Sequence, residues 1–238
     1  MKALTPVLCT IPLLFACTSS TATKASSDAP TNVAEWQDTF QVDKSDLAST
    51  GTNPYFILVP GYRCDYANEE GNGALRITVL DATEMIDGVE TRVVEEREME
   101  NGQLVEISRN FFAISKTTQD VYYFGEDVDI YKDGKIKSHD GAWRSGVDGA
   151  KFGLMMPGQA TVGRRYYQEV APKVALDRVE IRSVTTTYET PAGEFTGCLK
   201  VEETTPLEPK ARDYKIYAPG IGLIMDGELK LVAHGKLK

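Results

Sequence analysis

The chain has 238 residues but only two histidines and four cysteines, and that scarcity narrows the chemistry open to it. Serine nucleophiles need a base held near the hydroxyl and oriented by a third group. Only His139 and His234 could serve as that base, and no G-x-S-x-G segment occurs. "SHDG" places Ser138, His139 and Asp140 side by side, which describes a hairpin tip rather than a triad. No cysteine has a second Cys or a His at ligand spacing, so no zinc-type centre is expected, and neither metal nor cofactor is assigned. Basic residues, 26 against 35 acidic, never gather into a run, and the net charge of −9 argues against nucleic acid as a partner. Capped helical stripes are missing as well, although "VAEWQDTFQVD" could form one short helix.

No apolar run is long enough to cross a bilayer. "ALTPVLCTIPLLFA", after the positive start Met1-Lys2, is short and broken by proline, and reads as a signal peptide over residues 1–16. It ends in "LFAC", which resembles the bacterial lipobox. That resemblance implies that Cys17 becomes an N-terminus carrying acyl chains such as palmitate. "TSSTATKASSDAPTN" then supplies a flexible tether, so residues 17–52 are assigned as tether and N-terminal segment ahead of a single domain at 53–238. Thr18, in place of Asp, resembles the outer-membrane sorting pattern of Gram-negative lipoproteins. The expectation is a protein of the cell envelope, anchored in the membrane through its N-terminal lipid.

From Asn53 onward apolar residues recur with period two. Leu75, Ile77 and Val79 alternate with Arg76 and Thr78, and "IDGVE", "NGQ" and "KDGK" supply the Asp-Gly and Asn-Gly pairs that suit tight hairpins. The pattern predicts an all-β fold: a large twisted antiparallel meander curling toward an open or half barrel, with little helix. Of the two cysteines within it, Cys64 and Cys198, an oxidising compartment would allow a disulfide, while two separate buried thiols is the alternative.

One stretch breaks the rhythm. "GAWRSGVDGAKFGLMMPGQATVG", residues 141–163, is rich in Gly yet carries Trp143, Phe152, Leu154, Met155 and Met156. It reads as a long connection that covers an open sheet end or lines an apolar ligand pocket. The flexible thioethers would adapt to irregular shapes.

The densest acidic motif is "YYFGEDVDIYKDG". Its acids at 127, 129 and 133 miss the calcium-loop spacing, because Tyr131 stands where the third acid belongs and Gly134 follows too late. "YKDGK" is explained by a hairpin turn. Glu126, Asp127, Asp148 and Glu169, set among Tyr122, Tyr123, Trp143, Tyr166 and Tyr167, have the chemistry of a carbohydrate cleft. Acids and tyrosines alternating along strands also arise as cross-strand pairs on a solvated face. A structural role suits the first two best: a bulge at Gly125 would let Glu126 or Asp127 accept backbone N–H groups of "GVDGA", with Asp148 serving its own turn.

"NPYFILVPGYRCDY", "VYYFGED", the segment 141–172, "TPAGEFTGCLKVEETTPLEP" and "KIYAPGIGLI" together resemble a widespread group of bacterial secreted proteins and lipoproteins whose members lack an assigned function. The resemblance implies one β-rich extracytoplasmic domain. "TPAGEFTGCLKV" with "YAPGIGLI" is also similar to the closing meander of the lipoprotein-carrier superfamily, which implies a curved sheet with an apolar concave face. The reading that follows is a non-enzymatic, membrane-anchored lipoprotein whose β domain binds an envelope protein or an apolar small molecule. The rival is a carbohydrate-active or divalent-metal-dependent enzyme built on the clustered carboxylates.

Overall fold

The computed structural model describes residues 35–236; the leader at 1–16, Cys17 and the tether up to residue 34 lie outside the described residues. After a single 3₁₀ turn at Lys44–Asp46, the described chain is almost wholly strand. The strands are β1 (Leu47–Ala48), β2 (Gly51–Asn53), β3 (Phe56–Leu58), β4 (Tyr62–Ala67), β5 (Gly73–Ile86), β6 (Val89–Glu100), β7 (Gln103–Ser115), β8 (Val121–Lys132) and β9 (Lys135–Ser138). They continue with β10 (Trp143–Arg144), β11 (Lys151–Met156), β12 (Arg165–Tyr167), β13 (Glu169–Val170), β14 (Arg178–Thr190), β15 (Gly193–Thr205), β16 (Glu208–Ala218), β17 (Gly222–Asp226) and β18 (Leu229–Lys236).

Thirteen of these follow one another in a single antiparallel sheet, β12-β14-β15-β16-β17-β18-β4-β5-β6-β7-β8-β11-β13. Its two outermost members, β12 and β13, are consecutive in the chain and separated only by Gln168. Residues 165–170 therefore pair with β14 on one side and with β11 on the other, and the sheet curls into a nearly closed barrel. The hairpins that build it are those the sequence predicts. Asp87-Gly88, Asn101-Gly102 and Asp133-Gly134 all have positive φ, between 50° and 76°, and leave Ile86 opposite Val89, Glu100 opposite Gln103 and Lys132 opposite Lys135. Such two-residue turns match the right-handed twist of the strands they join.

Two expectations change here. The segment "VAEWQDTFQVD" is not helical over its described residues: Gln37 forms a bridge with Tyr166, and its backbone exchanges hydrogen bonds with Arg165 and Tyr167 at 3.1 and 2.9 Å. Trp36 stacks under Arg178 at 4.3 Å and meets the edge of Tyr167, while Phe40 is buried against Tyr122. Residues 35–52, grouped with the tether in the sequence, thus pack onto the barrel, and β1 pairs with β7.

The second change concerns residues 141–163, which are not one long covering loop: within them β10 and β11 both pair with β8, and turns and irregular chain make up the rest. Some of their glycines serve turns, as Gly146 and Gly149 do with positive φ, but Gly153 is required by close approach of backbone, as is Gly125 on the facing strand. A Cβ on Gly153 would lie 2.3 Å from the Gln168 carbonyl oxygen, at the seam where the sheet meets itself, and one on Gly125 would lie 2.7 Å from the Trp143 carbonyl. Cys64 and Cys198 are two free thiols, both buried in the smaller of the two apolar clusters, so the bridge held open in the sequence is not formed.

Candidate functional site

Four of the five proposed ligand-binding side chains belong to the packed core. Phe152 stacks on Phe124 with centroids 4.8 Å apart and meets Tyr122 edge-on, and Trp143 meets Tyr123 edge-on at 5.1 Å. Leu154 and Met156 are fully buried. Met155 lines a cavity, and its Sδ accepts a hydrogen bond from Gln168 Nε2 at 3.2 Å.

The four acids singled out in the sequence divide between two sides. Glu126 is buried next to Tyr123, and its carboxyl is raised above the ordinary range, by burial first, with the Ser108 and Tyr123 hydroxyls opposing. Asp127, the next residue, points away and binds the Arg144 guanidinium at 2.7 Å. Neither serves the "GVDGA" turn. That turn satisfies its own backbone through Gly146 N to Ala150 O and Ala150 N to Val147 O, and the acid that reaches it is Asp87, which accepts from Ser145 Oγ at 3.0 Å. Asp148 sits exposed at the turn with φ of 50°. Glu169, on the seam, is buried and accepts the Asp177 backbone N–H at 2.7 Å; burial and the neighbouring Asp177 push its carboxyl far up. Glu126 and Glu169 thus share the surroundings of Tyr123, while Asp127 and Asp148 do not. Asp129 pairs with Arg109 and His139 at 3.1 and 2.9 Å.

Two adjoining chambers are lined by residues of the barrel strands and their hairpins. The smaller, about 80 Å³, is lined mainly by apolar side chains, among them Phe56, Ile77, Val79, Phe112, Met155 and Leu223. The larger, about 630 Å³, is lined by ten acidic side chains and a single basic one. Glu96, Lys215 and Asp226 line both, so the chambers meet at these three residues.

Charge at this junction is unbalanced. Lys215 is buried, with its Nζ 3.2 Å from Glu203 Oε2 and 3.6 Å from Asp226 Oδ2. Burial alone would lower the lysine's pKa, but Asp226, Glu203, Tyr217 and Glu96 hold it well above its ordinary value. Glu203 is 8% exposed; its Oε2 is ion-paired to Lys215 yet has no hydrogen-bond donor aligned on it. The Glu203 carboxyl is raised by burial and nearby Asp177 and Asp226, against the pull of Lys215. Glu96 is pushed up to about 8 and Glu98 to about 7, in both cases by burial first and then by neighbouring acids. Both side chains are half-buried rather than enclosed, which moderates the rise without reversing it.

These residues were missed in the sequence because both faces of their strands are covered. In "DYKIYA", Ile216 and Ala218 pack into an apolar cluster while Lys215 and Tyr217 line the cavity, so alternation does not reveal which face is interior. The usable signal lay in doubled acids: at Glu95-Glu96, Glu202-Glu203 and Glu126-Asp127 one member must face each way.

Fold and site together define an antiparallel β barrel with an acid-lined cavity. Comparison of this chain with protein-family models, with curated proteins and with solved structures finds no match.

Proposed function

We propose that this chain is a lipid-anchored protein of the cell envelope whose barrel binds a small molecule in its interior without transforming it. The observation that carries the reading is the pair of chambers joined at Glu96, Lys215 and Asp226, which together form a concave space of the size small ligands occupy. The resemblance of "LFAC" to a lipobox and the Ser/Thr-rich stretch after Cys17 support membrane attachment. The small apolar chamber suits a short hydrocarbon group, not a long acyl chain, so the polar chamber takes most of the ligand.

Native mass spectrometry of protein extracted gently from cells tests the binding reading. The expected result is a reproducible adduct that is lost on denaturation; a uniformly empty mass would overturn it. Anchoring is checked by fractionation, in which Cys17→Ala moves the protein from membranes to the soluble fraction.

A further inference from the structure

The larger chamber offers ten carboxylates and one cation to whatever enters it, and that cation is already engaged by Glu203 and Asp226. Glu96 and Glu98 line the wall next to one another, and each stands among further acids, Glu126 and Asp226 around the first and Glu106 and Asp226 around the second. Five of the ten acids, Glu70, Glu100, Glu208, Asp213 and Glu228, are exposed. Glu96, Glu98, Asp177 and Asp226 are half-buried and Glu203 is buried, so a ligand meets a negative field that holds opposite charge more tightly towards the buried acids.

Two observations separate this from a simple gathering of acids. The first is the Glu203 carboxylate, more than nine-tenths buried and lining the chamber, whose Oε2 lies 3.2 Å from the Lys215 ammonium but off the direction of a well-formed hydrogen bond, so the pair leaves it only partly satisfied. The second is the apolar chamber that opens beside it at Glu96. The spacing of the acids also matters. Among the described residues no three His, Cys, Asp or Glu side chains converge closely enough to hold a metal ion. Separated carboxylates cannot share one compact divalent cation, which needs six or more oxygens at 2.0–2.6 Å, as is typical of calcium and magnesium. They can engage several ammonium groups spread along one chain.

Resting on the ligand-binding reading above, we infer that the cavity takes an aliphatic polyamine: ammonium groups against Glu96, Glu98, Glu203 and Asp213, and a methylene segment in the apolar chamber. Each ammonium replaces its hydration with charge-assisted hydrogen bonds to carboxylates, and the hydrocarbon spacers match the mixed lining. Glu96 faces Glu98, Glu126, Asp226 and Lys215, so an arriving ammonium relieves repulsion among the acids and favours their ionised forms.

Isothermal titration of the full mature protein in detergent with spermine at pH 8 tests the inference, with magnesium chloride at matched ionic strength and hexane-1,6-diol as controls. Saturable binding of spermine, with protons released as the acids ionise, is expected. Glu98→Gln and Glu96→Gln should each weaken it several-fold, and the pair at least tenfold. Both remove charge from a crowd of like charges, so folding is retained, which a thermal melt of each variant verifies. Equal binding by magnesium, undiminished binding by the folded variants, or no spermine heat at all would overturn the polyamine assignment. If spermine fails while native mass spectrometry still finds a small-molecule adduct, only the ligand class is wrong. If both fail, the binding reading falls with it.

Discussion

Glu202 and Glu203 are neighbours on β15, yet they live on opposite sides of the barrel wall and in opposite electrostatic company. Glu202 sits in an arginine ladder, held by Arg182 at 2.6 Å and by Arg212, while Arg182 also reaches Glu180. Burial would raise its carboxyl, but the two guanidiniums prevail and lower it. Glu203 faces inward with Lys215 as its cation, and burial prevails. The same division recurs at Glu126 and Asp127, where only the outward acid meets an arginine. On the outer face Glu202, Glu180 and Asp127 are neutralised by arginines, whereas ten acids and one lysine line the cavity. That difference is what the proposed ligand-binding reading rests on: the ladder acids already have guanidinium partners, while burial raises the acids that line the cavity.

The largest effect in this comparison should come from removing Lys215, the one basic residue among those lining the cavity. Lys215→Met strands Glu203 and Asp226 without their counter-charge, and denaturant unfolding at pH 7 should show a loss of about 3–5 kcal/mol, the range for breaking a buried pair from one side. Next comes the apolar packing that was mistaken for a pocket lining. Phe152→Ala, which removes the ring stacked on Phe124, should cost about 3 kcal/mol in the same assay. Met155→Ala should cost less and enlarge the apolar chamber.

The interior acids predict a pH dependence with a definite sign. Glu96 and Glu98 are harder to ionise in the folded chain than in the unfolded one, so the folded state holds their protons more tightly. Their effect is absent below the ordinary value of 4.5; stability then falls as pH climbs through about 7 and 8. Thermal melts should therefore drop between pH 5 and 8.5. Glu96→Gln should leave the midpoint at pH 5 nearly unchanged and stabilise the protein by about 1–3 kcal/mol at pH 8.5, after allowing for solvent screening. The smallest effect belongs to the exposed end of the outer ladder: Arg212→Ala should cost less than about 1 kcal/mol and vanish in high salt.

The fold was legible because hairpin turns are local. Asp87-Gly88, Asn101-Gly102 and Asp133-Gly134 announce themselves through the residues that tolerate positive φ, and they set the register of β5 to β9. Residues 141–163 were misread because Gly153 is required by a backbone crossing at the seam, a contact with residue 168 that no local pattern reveals. The cavity was illegible for a related reason. Glu96 and Lys215 lie 119 positions apart and meet only when the sheet curls, and a doubled acid such as Glu95-Glu96 shows that one member turns inward without showing which.

The inside-outside division of charge is tested most directly by following the side-chain carboxyl carbons of Glu202, Glu203 and Glu96 through a pH titration by carbon-13 NMR. The account predicts that Glu202 titrates below the ordinary 4.5, Glu203 above it, and Glu96 near 8. Three overlapping titrations near the ordinary value would contradict it and remove the basis for an acidic binding chamber.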